Sequence, residues 1–489
     1  MDPCACRVLV LAPGLDAYQA KLVHGMTQVF SRHGVSVLVG VHEQLAPGPS
    51  RSLPALVRQL SPCGFISLNG VGSATETEPE VLFPDLPRPV VGIGVNSSRG
   101  SWVHGDNESG MRALMTHLLD ECGVRRPAHV RGIAHQPDAA ERERVFREEL
   151  ARRGIPLGAE FVVDGGFDRN MAYHGVRRLL REHPDVDAVV AANDLSAIGA
   201  LRAVTHAGLR VPDDVVITGF DNEEIGALTW PGLTTVDQDL EGQGRAAARA
   251  LLAEIAGAAP SGEVVVRSRL VLRGSTRAAG RTLEEQLESA KQMAELSRGH
   301  VSAQDAVLGL HRVLHHCWTV DRVVDALTER LEELGVARCL VAVHEDLLRE
   351  GPRHGDLLPE GLPWGPPDAE LLGNGVRGPS GNSRGTSARV IHPADPPRVR
   401  VVLDYRDGRS LPSPESLRPE EILHEVLHRG SGGGTLLVQE LSAAGREFGF
   451  LIFEPAGAPV RSSEVVHESL ALALGSILVT AGARTGRVG

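Results

Sequence analysis

The sequence predicts an α/β fold with parallel sheets, followed by a helical linker and a smaller α+β domain. From residue 8 to 276, short apolar runs alternate with segments of helical period. This alternation is typical of parallel sheets that are covered by helices on both faces. The runs are almost continuously apolar, as at Ala188–Ala191, which is the composition of strands buried on both faces. The character of the sequence changes near residue 277, where the second part begins.

Eight strands and five helices are predicted in the first part, each from a short apolar run or from helical spacing. The strands are Val8–Leu11, Val35–Val41, Gly64–Leu68, Val90–Ile93, His129–Gly132, Phe161–Val163, Ala188–Ala191 and Val215–Gly219. The helices are Gln19–Arg32, Glu108–Glu121, Ala140–Arg153, Ala172–Arg181 and Leu195–Ala207. Ligands of such folds bind beyond the carboxyl ends of the strands, so the polar residues that follow the strands are the candidates for a site.

The second part divides into a linker, residues 277–318, and an α+β domain, residues 319–489. In the linker, Arg281–Arg298 is predicted as one helix with a short coiled-coil-like seam, which could pair with a second copy or pack on its own domain. We expect this helix to transmit a signal between the halves of the chain. The domain is predicted to contain a flexible insertion at about 351–388, rich in Gly, Pro, Ser and Arg. Its other elements are predicted at Ala303–Leu314, Val320–Leu334, Cys339–Val343, Arg398–Leu403, Thr435–Val438, Phe448–Phe453 and Glu464–Ala481.

Composition restricts the classes of function. The 489 residues are enough for two or three domains, and the net charge of −12 argues against broad electrostatic binding to DNA. The six cysteines form no C-x-x-C pair, as expected of reduced thiols. The N-terminus lacks a basic signal-peptide region and no run of 18 apolar residues occurs. We therefore expect a cytoplasmic protein without membrane contact.

Seven motifs follow one another in the first part. They are Pro89-Val-Val-Gly-Ile, Val103-His-Gly-Asp106-Asn107-Glu-Ser-Gly110, Ala140-Glu-Arg142-Glu-Arg-Val-Phe146, Ala191-Ala-Asn193-Asp194-Leu-Ser-Ala-Ile-Gly199, Val211-Pro-Asp-Asp-Val-Val-Ile-Thr-Gly219-Phe220-Asp221, Pro231-Gly-Leu-Thr-Thr-Val236 and Leu270-Val-Leu-Arg-Gly-Ser275-Thr276. In this order and spacing, residues 1–276 resemble the ligand-sensing domain of LacI/GalR-type transcriptional regulators. The resemblance implies a two-lobed, periplasmic-binding-protein-like type I fold, with chain crossovers near residues 132, 237 and 266. It also implies a sugar- or nucleoside-like effector, or a related metabolite, in the interlobe cleft. We further expect a homodimer.

The resemblance assigns six residues to the ligand site: Tyr18, Gln19, Arg142, Phe167, Asn193 and Asp221. Arg142 would reach ligand hydroxyls or carboxylates with its planar fork of donors, and Phe167 would lie beneath a sugar or base. Asn193 and Asp221 would bond ligand hydroxyls. Other roles stay open: Arg142 could pair with Glu141 or Glu148 on the helix surface, Phe167 could be core, and Asn193-Asp194 could cap a helix. We favour the cap role for Asp194 and the ligand role for Asn193.

Two positions depart from the family pattern. Gly94 stands where many family sugar binders carry Asp, and Val145 stands where Gly usually precedes Phe; both argue against a simple hexose.

Only seven residues precede Val8, whereas family repressors have a helix-turn-helix module of about sixty residues there. We therefore expect no such module and no specific DNA binding without a partner. Asp16–Gly25 resembles a subgroup in which a GAF-like domain follows the sensor, and Val320–Val343 and Gly449–Phe453 resemble that domain.

No catalytic constellation is apparent. His311 and His315 share a helix face and could grip a metal, but no third ligand is evident, and packed or exposed histidines are the simpler interpretation. No nucleophile–base pair is found. We therefore expect no enzyme activity, no cofactor and no metal. The predicted function is a cytoplasmic small-molecule sensor that signals by hinge closure. The alternatives are a solute-binding protein for uptake, or an accessory sensor for a separate kinase, cyclase or DNA-binding partner.

Overall fold

The first part of the chain folds into two α/β lobes. The computed structural model describes residues 6–41, 61–68, 88–94, 100–134, 136–276, 287, 291, 294–295, 305–345 apart from 315 and 318, 398–411 apart from 407, 417, 421–422, 435–455 apart from 444–445, and 466–477 apart from 468. Lobe 1 comprises the described residues of 6–105 and 240–266, and lobe 2 those of 107–237 and 269–276. The predicted α/β architecture with parallel sheets is confirmed.

Lobe 1 is built on six parallel strands. They are β1 (Arg7–Ala12), β2 (Ser36–Val41), β3 (Gly64–Leu68), β4 (Val90–Ile93), β5 (Trp102–Gly105) and β11 (Glu263–Val266), in the spatial order β11-β5-β4-β3-β1-β2. Helices α1 (Ala17–Arg32) and α7 (Leu240–Ile255) pack on one face. The two helices cross closely at Gly25 and Gly244, where any Cβ atom would collide with the backbone of the facing helix.

Lobe 2 is built on four parallel strands in the order β7-β6-β8-β9. They are β6 (Pro127–Arg131), β7 (Val162–Asp164), β8 (Ala188–Ala191) and β9 (Val216–Thr218). The helices of this lobe are α2 (Asn107–Thr116), which continues as a π-helical turn (His117–Glu121), α3 (Pro137–Arg152), α4 (Arg169–Glu182), α5 (Asp194–His206) and α6 (Glu224–Ala227). Both faces of the sheet are apolar cores, which explains the continuous apolar runs of its strands.

Three segments connect the lobes in the described part of the chain. The first runs from β5 to α2 at Gly105–Asn107, the second follows β10 (Thr235–Asp237), and the third joins β11 to β12 (Arg269–Val271). Strands β10 and β12 pair antiparallel. The crossovers near 237 and 266 lie where they were predicted. The prediction of a crossover near 132 is wrong, because the strand that ends at Arg131 pairs with two others inside lobe 2.

The second part of the chain contributes an antiparallel sheet in the order β16-β17-β13-β14-β15. Its strands are β13 (Val336–His344), β14 (Val399–Arg406), β15 (Arg409–Ser410), β16 (Thr435–Ala443) and β17 (Arg446–Pro455). Helix α8 (Val320–Thr328) and the helical residues 305–314, 466–467 and 469–477 supply side chains to its core. The helix predicted at Val320–Leu334 ends earlier, at Thr328, and a turn that includes Gly335, with a φ of +69°, leads into β13.

This antiparallel sheet continues the sheet of lobe 1. Strand β16 pairs in parallel with β2, from Thr435 opposite Val37 to Gln439 opposite Val41. The six strands of lobe 1 and the five strands of the second part therefore form one 11-stranded sheet in the described residues. The Thr27 and Thr435 hydroxyl oxygens lie 2.8 Å apart across the junction. Side chains of both parts share one apolar core. The C-terminal part is therefore packed against lobe 1 along a strand edge.

Two predictions about the second part fall outside the described residues. They are the insertion at 351–388 and most of the helix Arg281–Arg298, of which Leu287, Lys291, Ala294 and Glu295 are described as helical and exposed. None of the helices in the described ranges is long and apolar enough to span a membrane.

Candidate functional site

Arg142 is the centre of the candidate site. It projects from α3 into lobe 2 and is 3% exposed. Its Nε donates to Asn107 Oδ1 at 2.8 Å, and its Nη1 donates to the carbonyl oxygen of Ala192 at 2.7 Å. The guanidinium carbon lies 3.8 Å from the centroid of the Phe220 ring. The interpretation of Arg142 as a surface partner of Glu141 or Glu148 is therefore wrong, because these contacts fix the guanidinium inside the lobe.

Asp221 follows β9 and lies beside Arg142. The Arg142 Nη1 and Asp221 Oδ1 atoms are 3.5 Å apart, and Gln238 Nε2 donates to the same oxygen at 2.6 Å. Within the described residues, Asp221 Oδ2 accepts no hydrogen bond. The carboxyl group is nearly inaccessible to solvent. Burial raises the pKa of Asp221 to about 6, while the charge of Arg142 opposes the rise.

Asn193 and Asp194 follow β8 and begin α5. The Oδ1 atom of Asn193 accepts from the Ser196 backbone N–H at 2.9 Å, so Asn193 is the N-cap. The favoured cap role of Asp194 is therefore wrong. Asp194 instead accepts from the Glu223 N–H at 2.7 Å and from the Thr235 hydroxyl at 2.6 Å. Asp194 thus ties the start of α5 to the segment after β9. The side-chain amide nitrogen of Asn193 donates a long hydrogen bond, of 3.5 Å, to the carbonyl oxygen of Phe167.

Phe167 follows β7 in a left-handed backbone conformation, with a φ of +60°. Its ring lies against Gly132, where a Cβ atom would collide with ring carbons. The side chain is half-buried and joins none of the apolar cores of the described residues, so the core interpretation is not supported. Phe167, Asn193 and Asp221 therefore all lie at the carboxyl edge of the lobe 2 sheet, as the topology of parallel strands predicts.

Tyr18 and Gln19 lie in the first turn of α1, in lobe 1. Asp16 caps this helix by accepting from the backbone N–H groups of both residues, and Gln19 Oε1 accepts from the Asp16 N–H at 3.2 Å. Gln19 thus completes a capping box, and its carbonyl oxygen is engaged there. Tyr18 is half-buried against the lobe 1 core. One turn later, Lys21 Nζ donates to the carbonyl oxygen of Asn222 at 2.8 Å, so α1 lies against the segment that follows β9.

The structure adds three charged residues that the sequence analysis did not select: Lys21, Asp194 and Glu223. Burial, together with the charge of nearby Asp221, raises the pKa of Asp194 to about 7 and that of Glu223 to about 8. Asp194 directly follows the predicted site residue Asn193, and Glu223 lies two residues after the predicted site residue Asp221, so the sequence already placed both acids close to the site. The cleft edge therefore concentrates carboxyl groups around Arg142 and Lys21.

The departure at Gly94 has a conformational reason. Gly94 follows β4 with a φ of +71°, a conformation that glycine adopts readily and that aspartate adopts at a cost. No cluster of three or more metal-ligating side chains occurs among the described residues. His311 is described and its Nδ1 lies 3.0 Å from the Ser469 hydroxyl, while His315 lies outside the described residues.

Comparison with known proteins agrees with this architecture. A family profile described as "Periplasmic binding protein-like domain" matches residues 116–276. The "HTH-type transcriptional regulator CelR" of Thermobifida fusca is 36% identical over 180 residues, which is 37% of this chain and 51% of the relative. The chain thus spans about half the length of that relative.

Two further similarities complete the comparison. The "Ribose operon repressor" of Halalkalibacterium halodurans is 30% identical over 237 residues, covering 48% of this chain and 68% of the repressor. A solved "transcriptional regulator CelR-cellobiose complex" is 27% identical with a TM-score of 0.49, covering 55% of this chain and 84% of that one. The extent of the match to the ribose operon repressor, together with the profile match, shows that the chain belongs to the LacI family and contains its periplasmic-binding-protein-like sensor domain.

Proposed function

We propose that this chain is a small-molecule sensor that binds a sugar- or nucleoside-like effector between its two lobes and signals by hinge closure. The observation that supports it best is the buried pair Arg142–Asp221 at the carboxyl edge of the lobe 2 sheet. A buried arginine with fixed contacts is preorganised, so it loses little side-chain freedom when it binds a ligand. Closure of the lobes on the ligand shifts the population from the open to the closed arrangement. This shift is the signal.

The proposed contacts follow from the hydrogen-bonding atoms that are still available for a ligand at this edge. Asp221 Oδ2 would accept from a ligand hydroxyl, since Oδ1 is already bonded to Gln238. The Asn193 amide would donate, and the half-buried ring of Phe167 would cover an apolar face of a sugar or base. Tyr18 and Gln19 would contribute from lobe 1. The solved relatives include a cellobiose complex and a "complex with lactose", which favours saccharides among the candidates.

The remaining elements of the proposal concern output. The relatives named above are transcriptional regulators and not enzymes, so we propose a regulatory, non-enzymatic role in the cytoplasm, as a homodimer. Residues 319–489 are proposed as a GAF-like unit and 277–318 as its linker. Two alternatives remain: a solute-binding protein for uptake, and an accessory sensor for a separate kinase, cyclase or DNA-binding partner.

A ligand panel tests the proposal. Thermal unfolding would be measured with cellobiose, lactose, ribose and purine bases, because a ligand at about 100 times its Kd stabilises the folded state by about 2.7 kcal/mol. The Arg142→Met variant should lose the shift that the wild type shows. Arg147→Met is the matched control on the same helix, because Arg147 is exposed and bonds only Glu143 among the described residues. A shift that survives in Arg142→Met would contradict the assigned site.

A further inference from the structure

Lys21 forms a contact between the two lobes in addition to the three chain crossovers. It lies on α1 of lobe 1, and its Nζ donates to the backbone carbonyl oxygen of Asn222 in lobe 2 at 2.8 Å. The two residues are 201 positions apart in the sequence. The lysine side chain is half-buried, so the contact is partly shielded from water. A charged donor in such a setting makes a stronger hydrogen bond than a neutral one.

The segment that accepts this hydrogen bond is held in an unusual backbone conformation. Asp221 and Asn222 have φ values of 102° and 52°, in the region that favours glycine. Arg273 Nη2 donates to Asn222 Oδ1 at 2.6 Å, and Asn222 Nδ2 donates to Asp237 Oδ2 at 3.2 Å. Non-glycine residues persist in this region only when their surroundings fix them. The Asn222 carbonyl is therefore presented to lobe 1 by a preorganised turn.

The choice of lysine at this position is informative. The sequence contains 50 basic side chains of Lys and Arg, and only Lys21 and Lys291 are lysines. An ammonium group is a compact point charge with three donors, whereas the arginine fork is planar and wider. The Lys21 charge acts on the buried carboxyl groups of Asp221 and Glu223, opposing the rise of both pKa values. A compact cation thus binds the Asn222 carbonyl oxygen and acts electrostatically on two buried carboxyl groups.

We propose that Lys21 is an interlobe latch: it holds lobe 1 against the segment Asp221–Glu223 of lobe 2 and thereby positions Asp221 in the cleft. Lys21 acts through that segment and is a positioning residue. The importance of this positioning for effector binding rests on the proposed sensor function. The latch itself does not, because it is a property of the ligand-free chain. Its loss removes one restraint on the turn, in addition to those from Arg273 and Asp237, and widens the range of angles between the lobes.

The test uses the full chain without ligand. Lys21→Met removes the ammonium and keeps the chain length, Lys21→Arg restores a cation, and Lys291→Met is the control at the other, exposed lysine. We expect amide hydrogen exchange at residues 220–224 to be about tenfold faster in Lys21→Met, because a hydrogen bond to a charged group is lost. We also expect a larger radius of gyration in solution scattering. Lys21→Arg should recover part of the protection, because it restores the charge but not the compact shape of the ammonium group, and Lys291→Met should behave as the wild type.

Exchange at β8, remote from the latch, separates a local effect from general destabilisation. Faster exchange at 220–224 with unchanged exchange at 188–191 supports the latch. Equal exchange at 220–224 in Lys21→Met and wild type overturns it, and so does uniform acceleration that Lys21→Arg does not reverse. Should Lys21→Met fail to fold, acylation of the wild-type amines gives a second measurement, and Lys21 reacting as fast as Lys291 overturns the latch. Failure to find an effector would count against the sensor function and leave these results unaffected.

Discussion

The substitution Asp194→Asn should change how stability depends on pH. Asp194 is fully buried, and burial raises its pKa from 3.8 to about 7 in the folded protein. Since the folded pKa is raised, the folded state binds its proton more tightly than the unfolded state does. The stability that this proton contributes is complete below pH 3.8 and is lost as the pH rises through 7. Asparagine has a similar shape and does not titrate, so it removes this dependence.

The magnitude follows from linkage between proton binding and folding. Ionising Asp194 in the folded state costs about 4 kcal/mol in the limit of high pH, and about 2 kcal/mol of this develops between pH 5 and pH 7. His129 has the opposite effect on the free energy of unfolding over this pH range. Burial lowers its pKa to about 4, so its contribution to stability rises with pH. A pH profile of the wild type alone would therefore be ambiguous. The difference in the free energy of unfolding between the variant and the wild type is not ambiguous, because His129 contributes equally to both.

The assay is urea unfolding of both proteins at pH 5, 6 and 7, followed by circular dichroism. The free energy of unfolding of Asp194→Asn relative to wild type should rise by about 2 kcal/mol from pH 5 to pH 7. A fixed cost of replacing an acceptor that bonds two donors shifts all three values equally and does not affect the slope. A difference that stays constant, or that falls with pH, would refute the argument that burial dominates the ionisation of Asp194.

Three further outcomes are expected. Glu149→Gln should lower the free energy of unfolding by about 2 kcal/mol at pH 7 in urea titrations, because this buried carboxylate bonds three arginines; an unchanged midpoint would count against it. Gly244→Ala should cost about 2 kcal/mol by overpacking the crossing of α1 and α7, and a neutral effect in thermal unfolding would show that the helices can separate. Cysteines introduced at Thr27 and Thr435 should form a disulfide under mild oxidation, whereas Thr27 with Ser442, about 23 Å along β16, should not. Absence of the first crosslink would argue against the junction of β2 and β16.

The periodicity of the sequence predicted most elements of the lobes because each buries a contiguous apolar set. Strand β8 and helix α5, for example, begin and end within one or two residues of the predicted bounds. Strands β5 and β10 and helix α7 were not among the predicted elements. Strand β5 includes Trp102 and His104, both half-buried, and β10 has only three residues, so neither forms an apolar run that local patterns reveal.

For the site, the sequence selected positions but not contacts. Polar residues after buried strands could be identified, because parallel strands bring their carboxyl ends to one edge. The sequence could not predict whether Asn193 or Asp194 caps α5, because the two residues are adjacent and both residue types are good N-caps. The outcome depends on the Glu223 N–H and the Thr235 hydroxyl, which lie 29 and 41 residues away from Asp194 and bind its carboxylate.

What the sequence determined by itself is the class of fold: alternating apolar runs and amphipathic helices can bury their surfaces only as covered parallel sheets. What only the tertiary structure decided are the interactions between distant segments. The pairing of β2 with β16 joins residues about 400 positions apart, and an edge strand carries no sequence signal for its partner because backbone groups form the ladder. The contact of Lys21 with Asn222 likewise uses a backbone carbonyl, which every residue has. Its position depends on how the chain turns after β9, and that turn is fixed by side chains of other segments.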